Sequence, residues 1–287
     1  MGVKQSKYYR QRQDLRRKSV NVNATSAVSH STNSITIDGR QYHADDTTTY
    51  ILPKDEIEQD RLNSQHFAVK AVFDGKNILD SVHSLLPKNA TVLDLGCGTG
   101  CWVLEMAIEY PEYHFTGIDM ADMFPTTIRP DNIKFQRQNI LLGLPYPDNT
   151  FDFVNMRLML SAFRVTEWPT VIGEIHRVLK QGGVVELMET KFPEKDHVPI
   201  VDKVNQKWSM LQESNFELLD VQERSLQYIT AKESPLSAVA REMLGNWKLA
   251  ILALKPVLMD GLVENSNEYE SFVDSYIEGI LEEHWEP

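Results

Sequence analysis

Residues 91–100 read TVLDLGCGTG, an apolar run that breaks into a glycine-rich turn. Val92, Leu93 and Leu95 have the character of a strand buried on both faces, and Gly96, Gly98 and Gly100 remove side chains where the backbone must bend sharply. Trp102, Val103, Met106 and Ala107 then recur at helical spacing until Pro111 stops the pattern. The glycines therefore stand at a helix N-terminus, where free N–H groups and the helix dipole favour a negatively charged group. A strand, turn and helix of this kind make a cofactor pocket.

The order of the glycines bears on which cofactor. A dinucleotide fingerprint reads G-x-G-x-x-G, its third glycine letting the helix pack closely on the sheet. Here the order is G-x-G-x-G, with Cys101 in the sixth place. Asp94, two residues before the first glycine, would repel a pyrophosphate and attract an ammonium. Its alternative role is to brace the loop by accepting backbone N–H bonds. The next strand, His114 to Asp119, ends in a second acid where a ribose diol is normally gripped. Two acids at two strand ends suit a cationic nucleoside better than a pyrophosphate.

VLDLGCGTG followed by TGIDM resembles the first two motifs of the class I methyltransferases that use S-adenosylmethionine. IKFQRQNILLGLPYPDNTFDFVNMR is similar to that family's third strand, adenine-contacting turn and fourth strand, and EIHRVLKQGGVVELMET to its helix and fifth strand. Upstream, GRQYHADDTTTYILPKDEIEQDRLNSQHF resembles the entry segment of the fungal group that includes regulators of secondary metabolism. The resemblance covers about residues 39–230. It implies an α/β, Rossmann-like, doubly wound and mostly parallel sheet with helices on both faces, and S-adenosylmethionine as cofactor.

It also implies a set of contacts. The loop of Gly96, Cys97, Gly98 and Gly100 would lie against the methionine part of the cofactor, with Asp94 beneath it. Asp119 would hold the ribose hydroxyls, and Met120, Asn139 and Ile140 would meet the adenine. Asn155, with Met156 and Arg157, leaves the fourth strand at the carboxyl edge, where ligands bind in open parallel sheets. The implied reaction is methyl transfer to an oxygen or nitrogen nucleophile of a small molecule or protein. The alternative is a regulatory protein that keeps the fold and acts through partner proteins. His66, Tyr146 and Glu189 are available by type as a base, but spacing assigns none of them. Neither an Asn-Pro-Pro-Tyr-type tetrad nor an acid directly after the fourth strand is present, so no metal is implied.

The remaining elements read as follows. An Asp38-Gly39 turn centres a small hairpin from Ile35. Helices are expected over 55–73, 77–86, 168–180 and 198–214, then through 236–254 and 269–281. Strands are expected at 133–137, 151–156, 183–189 and 216–229. Tyr50, Gln65 and His66 are candidates for a lid, the alternative being an ordinary polar helix face. Related proteins continue into a seventh strand, and no β-patterned segment follows Leu281 to supply it, so that strand is expected to be missing; the alternatives are a truncated product or another segment that fills the gap. The domain plan is a basic, disordered tail and linker over 1–34 and a methyltransferase domain over 35–287, with its core at 88–230 and a helical cap at 234–283.

Charge is unevenly distributed along the 287 residues. Residues 1–18 carry seven Lys or Arg against Asp14, a net of +6; taken from the formal −12, this leaves −18 on residues 19–287. Phosphate backbones repel such an acidic body, which disfavours nucleic acid as substrate. The start, MGVKQSK, fits the N-myristoylation pattern with Gly2 as acceptor, and the basic segment 4–18 would be the second signal that stable peripheral membrane contact requires. The expected location is cytoplasmic or at a membrane surface, with the nucleus left open. Two cysteines, Cys97 and Cys101, are too few for a disulfide framework or a zinc site and read as reduced packing residues.

Overall fold

The computed structural model describes residues 34–44, 50–159, 162–190, 214–224, 235–262 and 265–282. The basic tail and the expected helix at 198–214 lie outside or at the edge of these. The chain divides into two units, one holding residues 34–65 and 235–282, the other residues 66–224.

The second unit contains the parallel sheet. Strand β3 is Thr91–Leu95, β4 His114–Asp119, β5 Ile133–Arg137, β6 Phe151–Arg157 and β7 Leu179–Met188, in the order β5-β4-β3-β6-β7 with every pairing parallel. Alternation along the strands separates two cores. Val92, Phe115 and Phe153 face Trp102, Val103, Met106 and Ala107 of helix α3 (Cys101–Glu109). Leu93, Leu95, Ile118, Val154 and Met156 face Trp168, Val171, Ile175 and Val178 of α4 (Trp168–Val178). Helices thus lie on both faces, and the order of strands reverses beside β3, which opens a crevice at the carboxyl ends of β3, β4 and β6.

Three expectations are corrected. Helix α2 is a single turn, Asp80–His83, rather than 77–86. α4 ends at Val178 and β7 begins at Leu179, four residues before the expected start, with a register shift against Phe151–Phe153. The expected strand at 216–229 is not formed where it is described: residues 216–224 have no ladder partner among the described residues, and 225–229 lie outside them.

The first unit begins with the expected hairpin, β1 (Ser34–Ile37) and β2 (Arg40–His43), turning on Asp38 and Gly39 at φ 49° and 79°. Helix α1 (Glu56–Val72) starts in this unit, where Asp55 accepts the Glu58 N–H at 3.0 Å and bonds from Arg40 Nε and Nη2. Three helices follow where two were expected: α5 (Pro235–Ala253), α6 (Lys255–Leu262) and α7 (Ser266–Glu282). Leu244, Tyr269, Val273 and Ile277 form their core, and the buried Arg61 bonds Glu58 and Asn246.

Candidate functional site

The glycine loop leaves β3 in left-handed steps, with Gly96, Gly98 and Gly100 at φ 73°, 55° and 75°. Gly96 and Cys97 both donate to the Ile118 carbonyl at 2.9 Å, which ties the loop to the end of β4. Asp119 braces it further: one carboxylate oxygen accepts the Gly98 N–H at 2.8 Å and the other the Ala121 N–H at 2.7 Å. Bracing, the alternative role for Asp94, is thus done by Asp119. The Met120 N–H also bonds this carboxylate, which keeps a lone pair for a hydroxyl donor.

Asp94 is buried and accepts a 2.6 Å bond from Asn155 Nδ2. Burial pushes its carboxyl up to about 6, against the pull of the Arg157 charge and the Asn155 bond. The two residues are aligned across β3 and β6, and Glu186 of β7 stands next in the same row. Asn155 is fully buried, and its Oδ1 has no hydrogen-bond partner among the described residues. A buried acceptor left open beside a carboxylate calls for a donor with several N–H groups, which is what a ligand ammonium supplies. The residues present therefore fit the amino-acid end of S-adenosylmethionine at Asp94 and Asn155, and its ribose at Asp119.

The adenine-side residues are spread over three local roles. Met120 is half-buried, and its carbonyl accepts from Arg137 Nε at 3.0 Å. Asn139 caps the short 3-10 turn Ile140–Leu142 by accepting the Leu141 N–H at 3.0 Å. Ile140 is buried in the core beneath α4. Cys97 is buried near Gly117, and burial with the neighbouring Asp119 and Asp94 charges holds its thiol protonated.

A polar network that sequence reasoning missed lies under α1 and α3. Arg157 sits two residues beyond Asn155, on the same face of β6, with its guanidinium 5.7 Å from the Trp102 ring centroid. Its Nη2 donates to His66 Nδ1 at 2.9 Å. Arginine has no acceptor, so His66 Nδ1 carries the lone pair and Nε2 carries the proton, donated to Glu105 Oε2 at 2.7 Å. Glu105 also accepts from Lys70 and from Asn77, and its carboxyl is held down at about 2 against the cost of its burial. The signal was available as strand period, since Asp94, Asn155 and Arg157 share one face.

This geometry removes two of the candidate bases. Both ring nitrogens of His66 are engaged, and burial with the Arg157 charge lowers its basicity. The Tyr146 hydroxyl bonds Gln136 and is pushed up to about 12 by burial. Glu189 accepts the Met159 N–H at 2.9 Å. Of the lid candidates, Tyr50 packs edge-on against His43 in the first unit, and His66 belongs to the network described. Among the described residues, no group of three His, Cys, Asp or Glu side chains is placed to hold a metal.

Comparison with known proteins bears on the family of the chain. Residues 92–183 match a family described as a methyltransferase domain. The chain is 33% identical over 174 residues to the secondary metabolism regulator laeA of Aspergillus flavus, covering 59% of this chain and 45% of that protein. It is 31% identical over 155 residues to the protein-methionine methyltransferase laeA of Emericella nidulans, covering 54% and 40% respectively. The chain thus spans less than half the length of these curated relatives. Among solved structures, a SAM-dependent methyltransferase from Aquifex aeolicus aligns over 59% of this chain and 93% of its own, with a TM-score of 0.42 and 18% identity. The glycine loop, the two strand-end acids and the matched segment together make residues 92–183 a class I methyltransferase domain of the S-adenosylmethionine-binding type, in a chain that resembles the fungal regulators of secondary metabolism.

Proposed function

We propose that the chain transfers the methyl group of S-adenosylmethionine to a nucleophile on a protein or small molecule. The observation that carries this reading is the Asp94–Asn155 pair, a carboxylate and an open buried acceptor side by side at the end of the central strands. The bound sulfonium supplies an already activated methyl group, so the protein's tasks are to hold donor and acceptor in line and keep water out. Asp94 and Asn155 anchor the amino end, Asp119 the ribose, and the Gly96–Gly100 loop admits the backbone to close contact. Oxygen and nitrogen acceptors remain the first expectation. The name of the Emericella nidulans relative adds a methionine thioether to the acceptors worth following.

The test has two stages. Calorimetry with S-adenosylhomocysteine is expected to show binding that Asp94→Ala abolishes; a wild-type chain that stays folded and fails to bind would end the reading. Intact-mass analysis with cofactor and a cell extract is then expected to show products heavier by one CH2 unit that depend on Asp94. Binding without such products would favour the second reading, a regulator that acts through partner proteins, which the names of the relatives support. Peripheral membrane contact through Gly2 and the basic segment 4–18 belongs to the same proposal.

A further inference from the structure

The bare face of Gly96 is taken by one of the chain's own side chains. A Cβ on Gly96 would overlap Met159 Sδ and lie 2.7 Å from Met159 Cε, so the thioether packs directly on the first glycine of the loop. Leu158, which delivers it, is a non-glycine residue at φ 56°, a left-handed conformation rare for a bulky side chain and frequent at functional sites. The kink is clamped from β7 and beyond: Leu158 N–H donates to the Met188 carbonyl at 2.8 Å, and Met159 N–H to Glu189 Oε1 at 2.9 Å. The backbone is fixed by these bonds, while the side chain is unbranched with three rotatable bonds and packs partly buried at the edge of the core under α4. A flexible thioether chain on a rigid stem has been placed where the loop needs no side chain.

The cofactor reading gives this contact a meaning, and the inference rests on that reading. The methionine end of S-adenosylmethionine carries the same run of methylenes and sulfur as the side chain now seated on Gly96. We infer that Met159 is a stopper on the glycine loop, which occupies the place of the cofactor's methionine chain and must turn away before the cofactor can be seated. A side chain that fills a site in about nine molecules of ten raises the apparent Kd about tenfold, because only the open fraction binds.

The experiment uses the full chain and S-adenosylhomocysteine as the probe. In calorimetry, Met159→Ala is expected to lower Kd by about tenfold, while Met159→Leu, similar in volume but branched, leaves it unchanged or raises it. In a sample labelled with 13C at the methionine methyls, the Met159 resonance, assigned by its loss in Met159→Ala, is expected to move on addition of S-adenosylhomocysteine. An affinity for Met159→Ala equal to or weaker than that of wild type would overturn the stopper, since the thioether would then be bystander or wall. If neither protein binds while both melt cooperatively, the cofactor reading falls and the stopper with it; binding by wild type with no gain in the variant sinks the stopper alone.

Discussion

Asp94 shows what a buried carboxylate costs its own fold. Its folded-state carboxyl titrates near 6, above the ordinary value near 4 of an unfolded chain. The folded state therefore holds the proton more tightly between those two values, so the stability this group contributes is full below about pH 4 and is lost as pH rises through 6. Asp94→Asn, which keeps the shape and removes the charge, is expected to raise stability at pH 7.5 by about 1 to 3 kcal/mol and to have little effect near pH 4. The same change is expected to weaken S-adenosylhomocysteine binding by about tenfold or more, because a charge-assisted bond is lost. In the wild type, affinity is expected to fall about tenfold per pH unit below 6. Denaturant melts and calorimetry across pH check both directions; a less stable variant with unchanged affinity would contradict them. Asp94 and Asp119 are legible in the sequence because each ends an apolar strand at a fixed distance from a glycine turn. Strand period places Asn155 and Arg157 on one face of their strand, but it does not give their partners. Only the ladder register puts Asn155 beside Asp94, and only tertiary packing brings His66 onto Arg157.

At the scale of elements, a close tolerance lies between β4 and β5. A Cβ on Gly117 would come within 2.7 Å of two Phe135 ring atoms and 3.2 Å of Cys97 Sγ, and Phe135 is itself stacked on Phe124 at 5.1 Å. Overpacking of this kind costs about 1 to 3 kcal/mol. Gly117→Ala is expected to lower the unfolding free energy by that amount, read as a lower urea midpoint, and Phe135→Leu added to it should restore part of the loss; a neutral Gly117→Ala would mean that the ring has room to move. The strand-turn-helix pattern that makes this corner is strong in the sequence because two periods, 2 and 3.6, meet at the glycines. The junction of α4 and β7 is weak for the opposite reason. Leu179 continues the apolar stripe of α4 and also suits the first inward position of a strand, so periodicity alone cannot place the boundary. The structure resolves it by turning Leu179 extended at φ −69° and ψ 137°, to pair with Phe151. Residues 216–224 mislead similarly: Phe216, Leu218 and Val221 suggest a strand, yet Leu218 and Leu219 stand adjacent and both are exposed. Two consecutive apolar residues cannot share one face of a pleated strand.

For the molecule as a whole, charge makes the last prediction. An acidic body of net −18 is repelled by an anionic bilayer, so any membrane contact must be confined to residues 1–18, with their net +6. Single myristoyl chains bind only marginally, and each basic residue near an anionic surface adds about 1 kcal/mol, so the lipid and the basic segment are each insufficient and jointly adequate. Surface attraction fades over a screening length of about 8 Å at physiological salt, short against the dimensions of a folded domain, so the body's repulsion need not cancel the tail's attraction. Acylated chain is therefore expected to sediment with vesicles containing phosphatidylserine and to remain in solution with purely zwitterionic vesicles. Gly2→Ala and, separately, neutralising Arg16, Arg17 and Lys18 should each release it, as should raised salt. Sedimentation of Gly2→Ala equal to that of wild type would remove the lipid from the account. The described residues contribute no membrane-crossing helix to this comparison. The proposed cofactor site, its named residues all in the second unit, should bind S-adenosylhomocysteine equally on and off the vesicle.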